Sequence, residues 1–423
     1  MIPGVPGPPD AGGDGYRDRF VPIASWALYD FANTLFSAMV VTLAMPRMLF
    51  QETDSDMPMS WASAAALVVA AFLGPLLGAL ADATRTTLRQ VEVFTILCCA
   101  CSAGLALVPA GSPGLLAVLF AAAFVAYNTA ISLYDSFLPD LCSPGRMGTV
   151  SGIGVGVGYL GALLGYPAAG WANARWGFDS VCLAAGVLMF LFSIPMFLLV
   201  RERRTAREGR FTLALGVQEF RAAHRTVRAL PARPALLLFL LGNFLAVDSL
   251  NAMIQWVGRF FDSAWGADLH TVIALLMGLS LSGFVLGVLA GRVADARGAG
   301  PVLLAAVASL AAVALVDALV PHRGIALWAT ILLGGFGAAG VWLASRRILV
   351  DLVPADRLAE HMGILGITRK ASVFGTLLLA GLADHAGWRV AVGSLAAPLL
   401  LAIVALEASR RAVLRERAAA SAA

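Results

Sequence analysis

Charge is what this sequence has least of. Its 423 residues include 30 Lys and Arg and 26 Asp and Glu, together 13%, whereas an ordinary soluble domain carries about 25%. A soluble protein this short of charge could not cover its own surface. A solvated globular enzyme, a disordered chain and a nucleic-acid binder are therefore excluded. Lysine is nearly absent, with Lys370 alone against the arginines. Cysteine is also scarce: the five residues Cys98, Cys99, Cys101, Cys142 and Cys182 mostly fall in apolar stretches and read as small packing side chains. Such usage excludes a disulfide-stapled secreted domain, and no pairing with histidine points to a metal. No cofactor is called for.

What is abundant is apolar: 59% of residues, with a mean hydropathy of +0.82. A membrane helix needs about 20 mostly apolar residues, and twelve such windows fit the chain. They lie near 22–49, 61–81, 91–109, 114–138, 148–173 and 178–200, then 234–261, 271–294, 301–320, 324–348, 361–383 and 388–409. Runs this long do not alternate with period two, so a transmembrane barrel is excluded. The expectation is an all-α membrane protein that lies in a lipid bilayer.

Cations collect on the cytoplasmic side of a membrane. With both termini inside, 23 of the 30 Lys and Arg fall on that side, leaving Arg47, Arg175, Arg259, Arg323 and Arg389 outward and Arg369 and Lys370 within a span. A multi-pass plasma-membrane protein of the bacterial inner-membrane type with cytoplasmic termini is expected. Residues 1–20 are rich in Pro and Gly, lack the apolar core of a cleavable signal and read as a disordered tail. Residues 21–200 and 234–410 read as two six-helix bundles, and 411–423 as a second tail. The linker 201–233 is cytoplasmic, with a basic amphipathic helix over Phe211–Leu230.

The two bundles repeat one another. Leu138-Pro139-Asp140-Leu141 recurs as Leu349-Val350-Asp351-Leu352, and the same offset of 211 carries Arg146 onto Arg357. Gly78-x-x-x-Asp82 recurs as Gly291-x-x-x-Asp295. Asp30, Asn33 and Ser37 in the first helix correspond to Asp248, Asn251 and Gln255 in the seventh, each set on one helical face.

Two parallel six-helix halves joined by a cytoplasmic loop resemble the plan of the major facilitator superfamily. The Gly-x-x-x-Asp pair resembles its loop signature, with Arg85 and Arg89 after the first copy and only Arg297 after the second. Ser25-Trp26-Ala27-Leu28-Tyr29-Asp30-Phe31-Ala32-Asn33, Tyr134-Asp135-Ser136-Phe137-Leu138-Pro139-Asp140-Leu141, Gly158-Tyr159-Leu160-Gly161 and Arg369-Lys370 together are similar to the vacuole-effluxer-like branch. Asp135 departs from it, standing where an amide is expected. Fungal members of that branch export amino acids from the vacuole, so the resemblance implies a small polar solute, with an amino acid as the narrower expectation.

Charges at membrane depth cost about 2.5–3.5 kcal/mol each on insertion scales, so those present need a reason. Asp30, Asn33, Asp248, Asn251, Tyr159 and Lys370 are the expected substrate-binding residues, with Tyr159 and Lys370 taken from the resemblance. Asp30 and Asp248 are the expected proton-coupling pair, because a cavity carboxylate takes up a proton when dry and releases it when wet. The competing reading of Asp30 and Asn33 is a fixed interhelix hydrogen bond. Lys370 suits a substrate carboxylate or an ion pair. Asp82, Asp295, Arg146, Arg357, Asp135 and Arg346 sit near cytoplasmic helix ends and are expected to gate them. Gly152, Gly154, Gly156, Gly158, Gly161 and Gly165 in the fifth window read as a close-packing seam, since no phosphate-loop Lys-Ser/Thr follows.

With no nucleotide-binding signature, the expected activity is secondary transport by alternating access, coupled to protons or facilitated. Multidrug or metabolite efflux, and a non-transporting sensor or assembly factor that docks through its basic loop, stand as alternatives.

Overall fold

The computed structural model describes residues 16–143, 146–202, 228, 230–320, 325–352 and 373–422. Every element of the described chain is helical. Helix α1 runs Phe20–Thr53, α2 Met57–Thr84, α3 Thr87–Leu105 and α4 Pro113–Asp135. Met147–Leu199 is interrupted at Gly177, where φ is 81° and ψ 176°. This positive φ, which a side chain would strain, turns the chain and divides the segment into α5 and α6. Then come α7 Pro234–Trp265, α8 Leu269–Arg297, α9 Ala299–Leu319 and α10 Ile325–Leu352. Helix α11 is described over Phe374–Ala386, and α12 over Ala396–Ala422.

Among the described residues ten helices are long and apolar enough to cross a membrane, and the one broken at Gly177 fills two of the twelve expected windows. The window 361–383 is described only from Val373 onward. Lipid-facing side chains such as Phe72, Leu198 and Val404 are well exposed, as a protein solvated by hydrocarbon permits. Trp61, Trp171, Trp176 and Trp328 are also exposed, and all four lie near the end of the bundle that carries the α1–α2 turn. Tryptophan concentrates where lipid meets water.

Two boundaries differ from expectation. The segment 411–423, read as a tail, continues α12 to Ala422. Residues 16–19, read as disordered, are held against the first bundle: Asp18 N–H donates to the Leu141 carbonyl at 2.9 Å, and Arg201 N–H donates to the Tyr16 hydroxyl at 2.8 Å. Residues 1–15 and nearly all of the expected amphipathic linker helix lie outside the described residues.

The glycine seam holds α5 on α1. A methyl group on Gly158 would stand 2.9 Å from the Thr34 hydroxyl, and one on Gly154 2.7 Å from the Trp26 ring. A methyl on Gly161 would overlap the Phe31 carbonyl. Only hydrogen fits at these positions, so the backbones approach directly, as small residues allow in membranes. The same helix meets the second bundle: a methyl on Gly156 would lie 3.4 Å from the Phe284 ring of α8.

Candidate functional site

Between the two bundles lies a cavity of about 330 Å³. Helix α1 supplies Asp30, Asn33, Thr34, Ser37 and Thr42, α4 adds Tyr127 and Asp135, and α5 adds Tyr159 and Tyr166. The facing wall is different. Leu250, Met253, Ile254 and Val257 of α7 line it, with Leu276 and Leu279 of α8. Farther along that side are Trp342, and Asp317 on α9, which accepts a 2.6 Å hydrogen bond from Thr330 of α10.

The long polar stripe of α1 depends on a change in helix type. Asp30, Thr34, Ala38 and Thr42 all reach the cavity at four-residue intervals. In an α-helix with 3.6 residues per turn, each such interval drifts by about 40°. Over Ser37–Ala44, however, the helix is π-helical, with more residues per turn. The wider turns take up the drift, so Thr42 still faces inward. Its hydroxyl donates to the Ile254 carbonyl of α7 at 3.1 Å, joining the two bundles above the cavity.

Asp30, Asn33, Tyr159 and Asp135 therefore share one cavity. Asp248 and Asn251 do not belong to its wall, contrary to the expectation that the two stripes face each other. Asp248 is buried, and its Oδ2 accepts the Gly375 N–H of α11 at 2.7 Å. A methyl on Gly375 would lie 3.0 Å from that oxygen. The equivalent helices are thus turned differently: α1 presents its polar stripe to the cavity, whereas α7 presents an apolar one. Sequence repetition carries over the stripe but not its orientation, which is set by the neighbour each helix packs against.

Two of the expected gate residues have partners among the described side chains. Arg146 pairs with Asp18 at 3.3 Å, and Asp295 with Arg347 at 3.1 Å. Both are substantially exposed, so each contributes little to stability. Arg357, Arg369 and Lys370 lie outside the described residues, as do the side chains of Asp82 and Arg346.

Sequence reasoning missed a buried clasp at the end carrying the α1–α2 turn. Arg47 of α1 meets Asp262 of α7 at 2.7 Å and donates to the Gly258 carbonyl at 3.1 Å. Arg259 of α7 donates through Nε and Nη2 to Asp56 at 3.1 and 3.4 Å, with its guanidinium 3.7 Å from the centre of the Phe50 ring. Asp384 of α11 accepts from Asp56 N–H at 3.0 Å and from the Ser55 hydroxyl at 2.5 Å. Burial pushes the Asp56 carboxyl up from its ordinary value, against the opposing pull of Arg259. A signal did exist in the sequence, because Arg47 and Arg259 are two of the five cations that break the charge bias. Their reason is pairing across the bundles, not topology.

Among the described residues no group of three or more His, Cys, Asp or Glu is placed to hold a metal, and all five cysteines are free.

Comparison with known proteins agrees with this architecture. An uncharacterized MFS-type transporter of Bacillus subtilis, YxiO, is 26% identical over 384 residues, covering 86% of this chain and 88% of the relative. Among solved structures, a mutant form of the nucleoside transporter NupG superposes with a TM-score of 0.72 at 12% identity, covering 92% of this chain and 99% of the other. A bacterial homologue of the human lysosomal transporter Spinster, in an inward-facing and unoccupied conformation, gives 0.69 at 14% identity, covering 96% and 99%. Residues 31–263 and 260–422 match the family described as Major Facilitator Superfamily, and with nearly the whole chain covered, this protein is a member of that superfamily of membrane transporters.

Proposed function

We propose that this transporter carries a small polar solute by rocking its two bundles about the cavity, with proton uptake at Asp30 driving the cycle. The observation that carries this reading is the pairing of a cavity with one polar, carboxylate-bearing wall and a clasp that, among the described residues, joins both bundles at one end. A cavity lined by both halves and shut at one end has the form alternating access requires.

The solute read from the family resemblance is an amino acid. Asp30 would meet its ammonium group, and Lys370 its carboxylate. Asp248 is released from the substrate role by its bond to α11. Asp82, Asp295, Arg146, Arg357, Asp135 and Arg346 remain the proposed gate at the opposite end, with Arg347 joining them through Asp295. The charge bias puts the termini in the cytoplasm, so the clasped end faces outward and the cavity inward. Relatives in Bacillus subtilis and Aquifex aeolicus favour a bacterial plasma membrane.

The apolar wall of α7 and α8, with Trp256, Phe260 and Trp342 also lining the cavity, supports a second reading, efflux of a lipophilic metabolite or drug. Reconstituted protein separates the two. Labelled amino acids should enter proteoliposomes faster under an imposed pH gradient. Flux of lipophilic cations with none of amino acids would overturn the first reading. Flux unaffected by Asp30→Asn and Lys370→Ala alike would remove both residues from the site.

A further inference from the structure

We propose that Asn33 reads the solute, and that the solute presents to it a planar hydrogen-bonding edge in which a donor and an acceptor stand side by side. This rests on the transport reading, concerns the same cavity, and puts a neutral amide-like solute in place of the amino acid. Asn33 is only 1% exposed and lines the cavity, yet neither its Nδ2 nor its Oδ1 has a hydrogen-bond partner among the described residues. Two other asparagines of the described helices are satisfied. Asn128 donates to the Phe124 carbonyl at 2.9 Å, and the Asn243 Oδ1 accepts from the Ser345 hydroxyl at 2.5 Å.

An unpaired buried amide bears the full cost of its lost hydration, and both polar atoms of this one are buried. Among the described residues no fixed interhelix bond, the structural alternative, holds Asn33 in place. Its χ2 torsion is broad and two-fold, so rocking of the bundles that opens this wall lets the carboxamide turn toward an arriving group. A carboxamide offers two donors and one acceptor oxygen in a plane, and its complement is a primary amide, a lactam or a heterocycle edge carrying adjacent N–H and C=O groups. The facing wall of Leu250, Met253, Ile254 and Val257 asks that the rest of the solute be apolar.

Benzamide and methyl benzoate test this, since they share a ring and a carbonyl but only the amide carries N–H donors. Melting temperatures of the purified full-length protein are measured with each probe for wild type, Asn33→Leu and Asn33→Ala. Asn33→Leu should melt a few degrees above wild type without ligand, because the unpaired amide is gone. Benzamide should raise the melting temperature of wild type and of neither variant, and methyl benzoate should raise none. A ligand-free Asn33→Leu that melts below wild type overturns the proposal, as do equal shifts by both probes or no shift of wild type by benzamide. If leucine does not fold, the alanine variant decides the probe comparison. Benzamide binding through Asn33 in a protein that moves no solute in liposomes would remove the transport reading and leave this one standing. Solute flux indifferent to both Asn33 variants would do the reverse.

Discussion

Arg259 of α7 grips Asp56, at the head of α2, through two nitrogens at 3.1 and 3.4 Å, and stacks on Phe50 at 3.7 Å. The pair crosses from one bundle to the other and is nearly sealed from water, with side-chain exposures of 9% and 2%. Removing one partner leaves a buried charge uncompensated, which costs about 3–5 kcal/mol. Asp56→Ala should therefore shift the protein toward opening at this end. In a cysteine-free background, a single cysteine at Ile254 should react with a membrane-impermeant thiol reagent added on the clasped side, where the unaltered clasp protects it. Unchanged protection would mean the clasp does not hold the bundles together.

Acidity should strengthen this clasp. The Asp56 carboxyl holds its proton more tightly when clasped than when solvated, because burial raises its pKa from the ordinary 3.8 and the nearby Asp384 and Asp262 add to the rise. The contribution is fully present below the ordinary value and is lost as pH climbs through the raised one. Thiol protection at Ile254 should thus increase as pH falls through that interval. Asp56→Asn, which cannot ionise, should flatten the dependence.

Asp30 and Asp248 should respond differently to the same substitution. Asp30→Asn removes both a titratable group and the charge that would meet the solute's ammonium, so pH-gradient-driven accumulation should disappear while exchange persists only at raised solute concentration. Asp248→Asn perturbs a buried hydrogen bond to Gly375, and a typical intramolecular hydrogen bond contributes about 0.5–1.5 kcal/mol. The substitution should lower the melting temperature and spare the coupling. Loss of coupling in the Asp248 variant alone would reverse the assignment.

The α1–α5 seam should tolerate no side chain at Gly161. A methyl there overlaps the Phe31 carbonyl, and overpacking of this kind typically costs about 1–3 kcal/mol. Gly161→Ala should lower the melting temperature. Gly78→Ala should not, since nothing among the described residues lies within 4 Å of a methyl group at that position.

Much of the architecture was legible because hydrocarbon is an unforgiving solvent. Helix number, the two-bundle repeat and the glycine seam all follow from local composition, since unpaired backbone and stray charge are costly in lipid wherever they occur. Asp30 and Asn33 could be placed at a cavity on the same grounds, and Tyr159 by the family resemblance. The clasp was not legible, because Arg47 and Asp262 lie far apart in sequence and belong to different bundles. A count of the cations expected to face outward marks Arg47 and Arg259 as unusual, but not what they touch.

By itself the sequence determined that the chain spans a membrane as two related helical bundles, because apolar length and repetition are properties of the chain alone. Only the tertiary structure decided that the stripe of α1 faces the cavity while its repeat on α7 turns Asp248 into α11. Helix rotation is set by packing against neighbours, and in the first bundle that neighbour is a row of glycines, whereas in the second it is the backbone at Gly375.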